Sequence, residues 1–198
     1  MKIYDRIRVD QWFLATIGVL LLGLSCAGIL YGMRAAIASH ISWKTQYGGA
    51  SVADVEQVLD NCRRAFVLYP RNYYFSIFAS ELAYYKADEA KGDMRTQRIQ
   101  QAELWCERGL MQNGYRSQLR RLKTRFLWER SPSEAIAYWE AHTNWQFWEP
   151  YNHETLAGLY AKYGDFGKAD RELKLIEGFP SYAPTRTLIE SEKKYWAE

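Results

Sequence analysis

The chain has 198 residues, 48% of them hydrophobic and 16% aromatic, with a formal net charge of +3 and three cysteines. That length allows one modest domain plus an anchor. The charge is too small for a surface that tracks nucleic-acid phosphates, and no low-complexity tract or long charged tail argues for disorder.

Residues 1–11 read as a short polar tail, cytoplasmic under the topology derived below. Trp12 to Met33 follows, a run of 22 residues without a charge. At about 1.5 Å per residue it spans a hydrocarbon core of ~30 Å. Trp12 and Tyr31 stand near its two ends, as in an interfacial belt. A cleavable signal peptide has a shorter apolar region, about 7–15 residues. A lipoprotein signal would use Leu24-Ser25-Cys26, but Gly23 stands where an aliphatic residue belongs, and the apolar run continues past it. The expectation is an uncleaved transmembrane helix over 12–33, continuing to about 47, where Gly48-Gly49 stop it. Lys2, Arg6 and Arg8 precede the span, and Arg34 and Lys44 follow it. This small excess predicts a single-pass inner or plasma membrane protein with its N-terminus in the cytoplasm. The remainder would then be extracytoplasmic, in a periplasm if the cell has one. Gly28, Gly32 and Ala36 share one face of the helix. Such a stripe lets a second membrane helix approach closely, although glycine is common in membrane helices without partners.

Ser51-Val52-Ala53-Asp54 resembles a capping box opening a helix that runs to about Tyr69 and is ended by Pro70. Apolar periodicity predicts further helices near 73–87, 96–111, 117–129, 133–142, 152–163, 166–177 and 185–196. Asp88 to Thr96 is charged and lacks apolar period, so it reads as an inserted segment. Ser131-Pro132-Ser133-Glu134 is a helix start, with serine as N-cap and proline in the first turn. Gly164 can take positive φ and end one helix, and Asp165 can cap the next. The helix over 181–198 carries Glu190, Glu192, Lys193 and Lys194, a polar face suited to capping a stack of hairpins.

The helices recur with a period. Ala102, Ala135 and Ala169 stand at intervals of 33 and 34, as do Gly109, His142 and Ile176. Ala65 precedes Gly109 by 44, one repeat plus about ten inserted residues. Leu156, Ala157, Tyr160, Gly164, Asp165, Phe166 and Ala169 together resemble the tetratricopeptide repeat (TPR) family. Its motif has Leu, a small residue and Tyr in helix A, Gly-Asp-aromatic in the turn and alanine in helix B. Ala65, Pro70 and Asn72 match the end of a first unit. Lys123 and His142 depart from it, standing where small residues are usual. The resemblance covers roughly residues 54–180. It implies an all-α chain: a single N-terminal transmembrane helix followed by a TPR-like α-solenoid over 51–180. Repeat spacing back from Cys62 and Ala65 puts the first unit's helix A near 40–49, so the anchor helix is expected to dock onto the first hairpin.

No catalytic motif is visible. There is no HExxH, GxSxG, phosphate-binding glycine loop or CxxC, and His40, His142 and His153 lack ligand spacing. The reading is non-catalytic, with no cofactor and no metal. Cys62 and Cys106 are 44 apart and equivalent in register. They are either a disulfide of an oxidising compartment or two buried thiols, and the helix-to-helix step favours thiols, because a bridge needs Cα atoms within about 7 Å.

Two clusters are candidate partner sites. Arg116, Arg120 and Lys123 fall at i, i+4 and i+7, beside the apolar Leu119, Leu122 and Phe126. Helix A lines the groove in the resembled family, which makes Arg120 a candidate for binding carboxylates, phosphates or an acidic peptide. The alternative is a solvated face paired with glutamates. Trp145, Phe147, Trp148 and Tyr151 surround Pro150 in an inter-repeat turn. They are either packing between repeats, an aromatic anchor for a protein, or a sugar-stacking platform. The peptide-carboxylate clamp of some chaperone-binding relatives is not evident, because Glu154, Gly158 and Lys162 stand where a Lys/Asn-rich groove is expected.

The expected function is a membrane-anchored scaffold or assembly subunit mediating protein–protein interaction in a membrane or cell-envelope complex. The alternative is an accessory subunit of an energy-transducing membrane complex, held mainly through its transmembrane helix. A glycan-processing enzyme would need a carboxylate pair in a cleft, which the sequence does not display.

Overall fold

The computed structural model describes residues 11–47 and 55–198; the expected capping box at 51–54 and the N-terminal tail to residue 10 lie outside the described residues. Among the described residues the chain is all-α, with nine helices and no strand. They are α1 (Gln11–Tyr47), α2 (Val55–Leu68), α3 (Tyr73–Glu89), α4 (Gly92–Gln112), α5 (Ser117–Arg130), α6 (Pro132–Trp145), α7 (Pro150–Tyr163), α8 (Phe166–Leu175) and α9 (Tyr182–Ala197). Each packs on the next, and from α2 onward short turns join them, so the helices alternate in direction and stack as hairpins.

The caps follow from the residues. Asn72 Oδ1 accepts from the Tyr74 amide at 3.1 Å at the start of α3. Ser131 Oγ accepts from the Glu134 amide and Pro132 opens α6. Gly164 closes α7 at φ +87°, and Asp165 accepts from the Lys168 amide at 3.1 Å.

The recurring small residues mark where helices touch. Ala65, Ala102, Ala135 and Ala169 lie in α2, α4, α6 and α8, and all are fully buried. Gly109 is tighter still: a Cβ there would lie 2.8 Å from a Leu119 methyl and 3.0 Å from Ser76 Cβ. Only glycine lets α4 approach α3 and α5 this closely. Two large clusters result, one built from α2 to α5 around Trp105, Leu119 and Phe126, the other from α6 to α9 around Trp139, Tyr160 and Ile189.

Two features differ from the sequence reading. The segment 88–96 is not a loop. It lengthens α3 to 17 residues and α4 to 21, leaving Ala90-Lys91 between them. Its residues are mostly good helix formers without proline, and the longer pair is held at its tip by Tyr84 and Arg95, which both bond Glu129. Second, α1 begins serving as the first hairpin's helix A well before residue 40. Ala38 and Ile41 pack with Ala65 and Phe75, Arg34 donates to the Val67 carbonyl, and the Tyr31 and Tyr69 rings meet edge to face at 5.4 Å. One continuous helix therefore carries both the apolar stretch, exposed from 12 to 30, and the first packing surface of the solenoid.

Candidate interaction surfaces

The odd-numbered helices line one face, which contains three hollows; others lie between α1 and α2 and among α6, α7 and α8. A cavity of about 610 Å³ lies between α1, α3 and α5, walled by Ser42, Trp43, Tyr74, Phe78 and Gln118. Another of about 440 Å³ lies between α5, α7 and α9, walled by Arg121, Arg125, Tyr151, Leu159, Lys162 and Leu188. A smaller hollow beside Tyr84 and Thr124 shares Arg125 and Lys162, so the groove is continuous from α3 to α7. Gly158 sets its width. A Cβ there would press on a Leu188 methyl at 3.3 Å, so the glycine lets α9 approach α7.

The groove is aromatic and carries a small cationic excess, with Arg121, Arg125 and Lys162 beside Glu154 and Glu129. The Arg121 guanidinium lies 4.9 Å from the Tyr151 ring centre, and Arg125 lies 5.9 Å from that of Tyr84. Neither arginine pairs with a carboxylate among the described residues. The Tyr151 hydroxyl is buried and has no hydrogen-bond partner among them. Burial and the adjoining Glu129 push the Tyr84 phenol up to about 12, so it stays a neutral hydrogen-bond donor.

The cations singled out from sequence point elsewhere. Arg120 donates from Nε to the Gly114 carbonyl at 2.6 Å and lies over the Tyr138 ring of α6. Arg116 lies over Tyr73 and Tyr74. Lys123 pairs with Glu107 of α4. All three are half-buried and tie α5 to its neighbours. The expectation that Arg120 lines the groove is corrected: Arg121 and Arg125, on the other flank of the same apolar stripe, do so. Both flanks carry arginine, and only the packing of α5 between α4 and α6 selects one.

The aromatic cluster divides in two. Tyr151 is half-buried, meets Trp139 edge to face and floors the groove. Trp145, Phe147 and Trp148 are 53%, 67% and 63% exposed. Trp145 stacks on Tyr115 from the preceding turn at 4.6 Å. The loop behind these rings is pinned. His153 Nε2 donates to the Phe147 carbonyl at 2.6 Å while its Nδ1 meets Glu172 at 2.7 Å. Asn152 donates to the Gln146 carbonyl, and Trp139 donates to that of Asn152. Nothing in the sequence marks His153 for this role, which follows from contacts six and nineteen residues away.

Gly28, Gly32 and Ala36 are exposed on α1, and a Cβ on either glycine would meet nothing within 4 Å. α1 is long and apolar enough to cross a membrane. Cys62 and Cys106 are free and buried in one cluster, with both thiols pushed up to about 12 by burial. Cys106 Sγ lies 3.2 Å from the Leu119 carbonyl.

No family model and no curated protein matches this sequence. Among solved structures the chain is similar to TTC0263, a thermophilic TPR protein of Thermus thermophilus, at 16% identity and a TM-score of 0.60. The match covers 89% of this chain and 95% of that one. The fold is TPR-like. At that identity the likeness carries the architecture alone. It fits the alternating hairpins, the buried alanines of the even helices and the groove on the odd ones.

Proposed function

We propose that this TPR-like protein is a non-catalytic, membrane-anchored scaffold or assembly subunit of a membrane or cell-envelope complex. α1 is read as crossing the inner or plasma membrane once with its N-terminus cytoplasmic, so that the solenoid is extracytoplasmic. One observation carries the scaffold reading: a continuous groove on the odd helices presents Arg121 and Arg125 braced on tyrosine rings and unpaired with carboxylates among the described residues. Guanidinium groups held this way suit an acidic or carboxylate-bearing segment of a protein partner. Arg116, Arg120 and Lys123 would support that surface by holding α5 in place, and Tyr151 would floor it.

The test is co-purification from mild detergent with the wild type and with Arg121→Glu/Arg125→Glu. The variant should fold and insert normally yet lose its extramembrane partner chains. Retention of every partner at the wild-type ratio would remove the groove as the binding site. A second reading, an accessory subunit of an energy-transducing complex held through α1, is favoured by the bare face of Gly28 and Gly32. Gly28→Leu/Gly32→Leu keeps the span apolar but fills that face. Loss of partners in this variant alone would select the second reading.

A further inference from the structure

We propose that the edge of the solenoid formed by the α2–α3, α4–α5 and α6–α7 turns rests in the headgroup layer of the bilayer that α1 enters. The inference builds on the reading of α1 as a membrane span.

The direction of α1 places this edge. α1 and α2 run antiparallel, and Tyr31 and Arg34 meet Tyr69 and Val67 at the C-terminal end of α2. Residues 12–30 therefore continue past that end for about 28 Å. Because the helices alternate, the turns at 69–72, 113–116 and 146–149 all fall on the side from which the apolar segment leaves.

Contacts and chain neighbours link the three turns. Arg71 lies beside the Tyr31 hydroxyl. Tyr73 and Tyr74 stack and hold the Arg116 guanidinium of the next turn. Tyr115 of that turn stacks on Trp145, which neighbours Trp148 and, through it, Phe147. Rings and arginines thus line the edge from the base of the span to the third turn, in three contact groups joined by chain adjacency at Arg71–Tyr73 and at Tyr115–Arg116.

Its composition is that of a membrane interface. Tyr74, Met111, Tyr115, Trp145, Phe147 and Trp148 are exposed there, each at 50% or more. Tryptophan and tyrosine favour the headgroup level because one end of the ring system is apolar and the other wet. The arginines beside them can reach lipid phosphates. No Asp or Glu occurs from 69 to 80 or from 108 to 128; Glu149 stands in the third turn, and Glu177 in the α8–α9 turn that the same alternation brings to this side. The opposite edge is charged with both signs, with Asp88, Glu89, Lys91 and Asp93 at one turn and Glu129, Arg130 and Glu134 at the next. The His153 and Asn152 bonds fix the third loop from behind, so its rings cannot fold into the core. A row this apolar, left in water, would be an aggregation surface.

Depth measurement tests the assignment. The full chain carrying Cys26→Ser is reconstituted in phosphatidylcholine–phosphatidylglycerol vesicles. A nitroxide is attached at Leu21→Cys, Tyr74→Cys, Phe147→Cys or Glu134→Cys, in turn; Cys62 and Cys106 are buried and do not take label. Relaxation by oxygen, which partitions into lipid, is compared with relaxation by a water-soluble nickel chelate. The oxygen-to-nickel ratio should be highest at 21, several-fold above the 134 value at 74 and 147, and lowest at 134. A ratio at 74 and 147 equal to that at 134, with 21 deep, would overturn the proposal and leave the span intact. An aqueous reading at 21 would overturn the span and the proposal with it. Shielding of 147 from both reagents that grows with protein-to-lipid ratio would show a second copy covering the rings and would also overturn it.

Discussion

The Arg34 guanidinium donates to the Val67 carbonyl at 3.1 Å, joining the apolar helix to the last turn of α2. The final carbonyls of a helix have no intrahelical donor, and a charged donor is well suited to them. Arg34→Ala should loosen this joint at a cost of about 1.5–3 kcal/mol, the range for hydrogen bonds to charged groups, or less where water replaces the arginine. Hydrogen exchange at the α2 C-terminus should accelerate more than exchange in α7. Equal protection in both proteins would show that the joint does not depend on this bond.

Gly109 offers a packing test. Gly109→Val places a branched side chain against Leu119 and Ser76, where even a Cβ is too close. Overpacking of this kind costs about 1–3 kcal/mol. The urea midpoint should fall without a change in helix content before unfolding. An unchanged midpoint would mean that α4 and α5 are further apart than described.

His142 sets a pH dependence. Burial, and then the nearby Arg120, lower its imidazole from the ordinary 6.5 to about 4. The unfolded chain takes up this proton as pH falls through 6.5, while the folded chain resists until about 4. Stability should therefore decline from pH 6.5 toward 4 and level off below. His142→Gln should show a flatter profile across that window in thermal melts. Parallel profiles for the two proteins would exclude His142 as the origin.

The thiols give a kinetic readout. Cys62 and Cys106 are buried, and each thiol is pushed up to about 12. Their alkylation should be negligible in the folded protein and should track unfolding as urea rises. Peptide mapping should show no Cys62–Cys106 linkage. A linked peptide would refute both the free thiols and the register of α2 against α4.

Much of the architecture is legible in the residues. The interval of 33 and 34 between Ala102, Ala135 and Ala169, with Gly164-Asp165 at a turn, encodes hairpins through local rules that need no partner. The segment 88–96 reads as an insertion because polar residues with high helix propensity resemble a loop when the apolar period lapses. In the structure it extends two helices, and Arg95 and Tyr84 tie the lengthened pair to Glu129 of α5, 34 and 45 residues away. The site is less legible. Arg120 and Arg121 are adjacent on one helix, and nothing local says which flank meets α6 and which opens on the groove.

What the sequence determined by itself is the set of local and periodic facts: helix ends, the all-α repeat, a long apolar helix at the start and the small residues where helices touch. These depend on capping, φ freedom and burial at fixed spacing, which act within a turn or one repeat. The tertiary structure alone decided which rings are exposed, which arginines are free of carboxylates among the described residues, and that the apolar end of α1 leaves from the aromatic edge. Those outcomes depend on contacts between distant residues such as Tyr31 with Tyr69 and Tyr115 with Trp145, and on the alternation that carries every second turn to one side.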